Sequence, residues 1–189
     1  AEARKAIELA PNESKGWDSL AGIQVKQGEN AKAEESYKKA TSLAPNVASP
    51  WLALGRFYIS QQRWADAENS YREALKADSR NIEAYTQIAA IYAAQNRMTD
   101  AEAISRQGRE ALADEAMGSQ VLAEFYAATH QYQKAAAEYE TVLAKFPKDE
   151  NARRNYIQAL IATNRTGDAQ KFVDKLLKES SNKSATALV

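Results

Sequence analysis

Apolar residues return along this chain every three or four positions, the rhythm of a helix that turns one face toward a core. Between Trp51 and Tyr58 they fall at Trp51, Leu54, Gly55 and Tyr58. After a polar break the habit resumes at Ala67, Ser70, Tyr71, Ala74 and Leu75. This pattern predicts two amphipathic helices joined by a short turn. The breaks carry turn chemistry. Gly28, Asn96, His130 and Asn164 stand at corresponding breaks, where a left-handed residue ends a helix. Ser49-Pro50 reads as an N-cap followed by a first-turn proline. Thr99 to Glu102, reading TDAE, fits a capping box.

The pair of helices repeats. Pro11 and Pro45 lie 34 residues apart, as do Trp17 and Trp51, and Tyr37 and Tyr71. Ala33, Ala67, Ala101, Ala135 and Ala169 keep that spacing through five cycles. A small residue such as Ala67 or Gly55 lets two helices approach closely, and the ring of Tyr71 or Tyr58 fills the neighbouring gap. One hairpin cannot bury its apolar face alone, so stacking must supply the core.

The spacing Trp51, Leu54, Gly55, Tyr58, then Ala67, Tyr71, Ala74 resembles the tetratricopeptide repeat signature. The preceding cycle carries it as Trp17, Leu20, Ala21, Ala33, Tyr37, Ala40 and Pro45. The fourth carries it as Leu122, Ala123, Tyr126, Ala135, Tyr139 and Pro147. The resemblance spans essentially the whole chain. It implies an all-α fold, a right-handed superhelical solenoid of antiparallel helix hairpins whose first helices line a concave groove. Five repeats are expected, at 14–47, 48–81, 82–115, 116–149 and 150–183. The second helix of a truncated repeat precedes them at 1–13, and a tail or the start of a further repeat follows at 184–189.

Two repeats depart from the pattern. In the third, Ser105 and Gly108 stand where an aromatic and an alanine belong, which makes the second helix of 82–115 degenerate and leaves Ile104 as the expected buried anchor. A loose hairpin there, or a bend or partner contact, would follow. The fifth carries Arg153 where earlier ones carry Trp or Tyr. With Asn155 and Thr166 it is more polar, as terminal capping repeats are. A half-hairpin at either end leaves an apolar face open. More repeats or another domain are therefore expected on at least one side, unless the ends act as simple caps.

Charge narrows the function classes. The 189 residues include 25 basic and 25 acidic ones, with no net charge, and nucleic-acid or membrane-surface binding needs a net basic face. The longest apolar run, Ile88–Ala94, is far too short for membrane insertion. Cysteine is absent, which excludes disulfides and thiolate metal sites. His130 is the single histidine, and its phase makes it a turn residue before a catalytic base or metal ligand. The seven glycines are scattered and build no phosphate loop. No catalytic, cofactor-binding or metal site is expected, and the chain is not read as an enzyme.

In the family it resembles, ligands are usually extended peptides or helices held in the concave groove. By phase, the inward positions are Asp18, Gly22, Val25 and Lys26, then Leu52, Arg56 and Ile59, then Thr86, Ala90 and Ala93. Gln120, Glu124 and Ala127 follow, and Arg154, Gln158 and Ile161 close the series. Two groove chemistries known in the family are missing. A carboxylate clamp needs lysine and asparagine one turn apart, and pairs such as Asp18/Gly22 and Leu52/Arg56 do not fit. An asparagine ladder needs asparagine in every repeat, but that row reads Ser19, Ala53, Gln87, Val121 and Asn155.

The remaining groove is small and mildly apolar, with isolated charges at Arg56, Glu124 and Arg154. Leu52 and Ile59 are its apolar anchors, and Arg56 is expected to meet an acidic side chain or a terminal carboxylate. The bland alternative is tight curvature without a ligand. The expected function is a protein-interaction scaffold that binds a peptide or helical segment of a partner protein. The rival is a structural spacer or self-assembly module of a larger protein, associating through open solenoid ends. The polar, alanine-rich style resembles bacterial repeat proteins.

Overall fold

Every regular element among residues 2–186, which the computed structural model describes, is an α-helix. The order is α1 (Glu2–Leu9), α2 (Ser14–Lys26), α3 (Asn30–Leu43), α4 (Ala48–Ser60), α5 (Trp64–Ala77), α6 (Ile82–Ala94) and α7 (Met98–Ala111). Then follow α8 (Ala116–Ser119), α9 (Val121–Ala128), α10 (Tyr132–Lys145), α11 (Glu150–Ala162) and α12 (Thr166–Thr186). The chain forms two units, Ala1–Ala111 and Leu112–Val189. In the first, α2 packs on α3, α4 on α5 and α6 on α7. In the second, α9 packs on α10, and α11 on both α10 and α12. This is the all-α hairpin architecture that the pattern predicts. None of the described helices is long and apolar enough to cross a membrane.

The hairpin turns are built alike. Gly28, Gln62, Asn96, His130 and Asn164 all have positive φ, between 58° and 76°. Around each, the next residue's N–H reaches back to the carbonyl five positions before it: Glu29 to Gln24, Arg63 to Tyr58, Arg97 to Tyr92, Gln131 to Tyr126 and Arg165 to Leu160. These are Schellman closures, which satisfy the last carbonyls of a helix. Gln62 has no side-chain preference for this conformation, so composition did not mark it. The helix starts differ from expectation. The N-cap of α4 is Val47, with Ser49 inside the first turn, and α7 begins at Met98, so Thr99 is not its cap. Side chains of Asn81 and Asp149 cap α6 and α11 instead, each accepting from the third residue on.

A second periodic device explains Arg153. The indole N–H groups of Trp17 and Trp51 donate to the carbonyls of Pro11 and Pro45, six residues back. The Tyr85 hydroxyl does the same to Ser79, the Ser119 hydroxyl to Ala113 and the Arg153 guanidinium to Pro147. Four residue types do one job, because the site asks for a donor that reaches the inter-repeat turn. It does not ask for a ring.

The core follows the alanine column. Ala33, Ala67, Ala101 and Ala135 are fully buried, with Tyr71 and Tyr139 among the largest buried side chains. In α7 the buried Ser105 turns its hydroxyl onto the Ala101 carbonyl at 2.8 Å, and Ile104 is buried beside it. The helix runs unbroken to Ala111 despite the departures. Beyond it, Leu112 is fully buried, and a Cβ on Gly118 would lie 2.1 Å from the Leu112 Cβ. Glycine alone fits there. In unit two, α12 continues through Thr186 without a turn at 183, and residues 187–189 of the expected tail lie outside the described part.

Ion pairs knit the hairpins of unit one. Arg63 stacks 4.4 Å over the Tyr58 ring while reaching Glu34 at 2.6 Å and Asp66 at 2.7 Å. One period on, Arg97 stacks 4.1 Å over Tyr92 and faces Glu68 and Asp100. Hydrogen bonds from Arg63 and then Lys38 hold the Glu34 carboxyl down at about 2, against 4.5 without them. A depressed folded-state value favours folding above the unfolded value, and the benefit disappears as pH falls from about 4.5 toward 2. Because Arg63 and part of the Glu34 side chain are open to solvent, screening holds its share to about 1 kcal/mol. Thermal melts across that window should therefore fall more steeply for the parent than for Glu34→Gln. Parallel curves would show that the pair contributes nothing.

Candidate functional site

In unit one the first helices of the hairpins place three charges in sequence. Asp18 comes from α2, Arg56 from α4 and Glu83 from α6. Arg56 donates to the Glu83 carboxylate, so this guanidinium already has its acid within the chain. Burial pushes the Asp18 carboxyl up, and the charge of Arg56 partly offsets it. The Asp18 Oδ1 is buried without a hydrogen-bond partner. The Tyr71 hydroxyl is also buried and unpartnered, pushed up to about 12 by burial and then by Glu83. The other expected positions scatter. Leu52 is buried at 8 % exposure, taken up by packing. Ile59 is half-buried, Lys26 and Ala90 are exposed, and the Thr86 hydroxyl bonds back to carbonyls of its own helix.

In unit two the expected positions converge. Glu124 and Ala127 of α9 and Gln158 of α11 line one cavity of about 270 Å³, together with Tyr132, Tyr139, Asn155 and Ala159. Glu124 is exposed to solvent, yet the surrounding helices push its carboxyl above the ordinary range by desolvation. No hydrogen bond or ion pair among the described residues holds that carboxyl. The Tyr139 hydroxyl is pushed up to about 12 by burial and then by the Glu124 charge, against a hydrogen bond with Asn155. Tyr132 closes the wall, its hydroxyl 2.7 Å from His130 Nδ1. His130 itself occupies the positive-φ turn, as its phase predicts.

Two further expected residues lie elsewhere. Gln120 is 2 % exposed, and its amide donates to the Ala116 carbonyl and, at 3.2 Å, to Asp149, the cap of α11. Arg154 is exposed and bonds Asn151 on its own helix. Reasoning from the first helices alone missed Tyr132 and Tyr139, which come from the second helix of the hairpin. Tyr139 carried a signal, but a tyrosine in the repeat's core column reads as packing. Among the described residues, no group of three or more His, Asp or Glu could hold a metal ion.

Stacked helix hairpins with polar groups gathered on their first helices make a protein-interaction scaffold of the helical-repeat class. Residues 3–113 match the model of the cilia and flagella-associated protein 70 middle TPR-like domain, and residues 126–188 match a tetratricopeptide repeat model. The chain belongs to the tetratricopeptide repeat family. Its fold is similar to that of TTC0263, a thermophilic TPR protein in Thermus thermophilus, with a TM-score of 0.58 at 25% identity over 84% of this chain and 87% of that one. It is similar also to MamA, with a TM-score of 0.58 at 20% identity over 91% and 94% of the two chains. A third similar structure is YrrB, a TPR protein described as having an unusual peptide-binding site, with a TM-score of 0.55 at 17% identity over 94% and 92%. No curated protein matches the chain. Tetratricopeptide repeats are, in general, non-enzymatic scaffolds.

Proposed function

We propose that this chain holds an extended or helical segment of a partner protein against the first helices of its hairpins, with the cavity of unit two as the principal contact. One observation carries this reading. Glu124, Ala127 and Gln158, brought together from two successive first helices, surround a cavity of about 270 Å³ in which the carboxylate has no partner of its own. Polar groups so placed serve recognition better than stability, since an unpaired, partly desolvated carboxylate costs the fold free energy.

A peptide-display selection on the immobilised chain tests it. Segments should be enriched over the bare support, and Gln158→Trp, which fills the cavity from an exposed position, should weaken them at least tenfold with the melt unchanged. An empty selection, or indifference to Gln158→Trp, would turn the reading toward a spacer or self-assembly module. The exposed Leu9 of α1 and Ile23 of α2 are the observation that favours that alternative.

A further inference from the structure

Resting on that reading, we infer that the unit-two cavity selects a basic side chain, lysine or arginine, from the bound segment, with Glu124 as its counter-ion. Among the described residues elsewhere, most inward or half-buried acids are matched, with Asp18 the exception. Glu34 has Arg63 and Lys38, Glu68 has Arg72 and Arg97, and Glu83 has Arg56. Asp66, Asp100 and Asp168 each face an arginine three residues away. Glu124 has no such match, and no lysine, arginine or histidine is among the residues that line its cavity. Arg154, one of the isolated groove charges of the sequence, is bonded to Asn151.

The walls suit a long cationic side chain. Ala127 and Ala159 offer apolar surface for a methylene stem, which a lysine or arginine lays along such surface while its head seeks polar partners. Half-buried Tyr132 presents an aromatic ring, which attracts cations. Gln158 and Asn155 supply amide oxygens, and a guanidinium or ammonium is donor-only. The cavity would hold several waters at about 30 Å³ each, so a side chain can enter without displacing protein. An acidic side chain would meet Glu124 with like charge.

The polarity is tested by running the display selection in parallel on the parent, Glu124→Gln and Glu124→Lys, with a library of random twelve-residue segments. The parent should enrich segments with a lysine or arginine at one fixed place, and Glu124→Lys should enrich acidic ones there. Exchanging that lysine for norleucine in a synthetic segment should weaken binding at least tenfold to the parent but less than twofold to Glu124→Gln. The side-chain amide signals of Asn155 and Gln158 should shift on binding. Enriched segments without a basic residue, or an equal norleucine loss on both proteins, would overturn the inference and leave the scaffold reading intact. An empty selection on the parent would overturn both.

Discussion

Tyr71→Ala is expected to lower stability by about 3–5 kcal/mol, while Tyr71→Phe leaves it unchanged or raises it by about 1 kcal/mol. The ring is fully buried in α5 and fills the space that Gly55 leaves open in α4, where an added Cβ would lie 2.9 Å from its Cζ. Truncation removes the ring from a crossing that cannot collapse, because helices on both sides are held by their own hairpins. The hydroxyl is a separate matter. It is buried without a hydrogen-bond partner, so it contributes a desolvation cost and no bond. Denaturant titration of the three proteins separates these effects. A loss of about 1 kcal/mol or more on going to phenylalanine would mean the hydroxyl has a partner after all.

Ala67→Trp is expected to cost about 3 kcal/mol or more, at the upper end for overpacking, since Ala67 is fully buried at the start of α5 where it meets α4. A ring system introduced there must push α4 from α5 or leave the core altogether. The effect should appear as a lower denaturation midpoint, with helicity retained until unfolding. A midpoint equal to the parent's would show that this crossing is looser than its burial implies.

How much of this was legible beforehand follows from the kind of constraint involved. The alanine column could be read because close helix crossings exclude anything larger, and that exclusion repeats every 34 residues. The hairpin turns could be read where glycine, asparagine or histidine stands at the positive-φ residue, but not at Gln62, where the surrounding closure imposes the conformation on a residue with no preference for it. The departure from the pattern in α7 is accommodated in a related way. Ser105 satisfies its own hydroxyl against Ala101, so a small polar residue sits in the core without breaking the helix. The position shared by Trp17, Trp51, Tyr85, Ser119 and Arg153 looked like an aromatic column that failed at its end. Its function is a hydrogen bond to a turn carbonyl, which chemistry unlike an aromatic ring supplies as well.

By itself, then, the sequence determined the hairpin architecture, its period and its buried small and aromatic columns. Those features are set by steric limits acting on near neighbours along each helix. Only the tertiary structure decided what each charge meets. Arg56 faces Glu83 across 27 residues of chain, Gln120 is drawn to Asp149, and Glu124 is left alone beside tyrosines from the next helix. Long polar side chains have several neighbours within reach, and the choice among them depends on ångström-scale helix placement that periodicity does not encode.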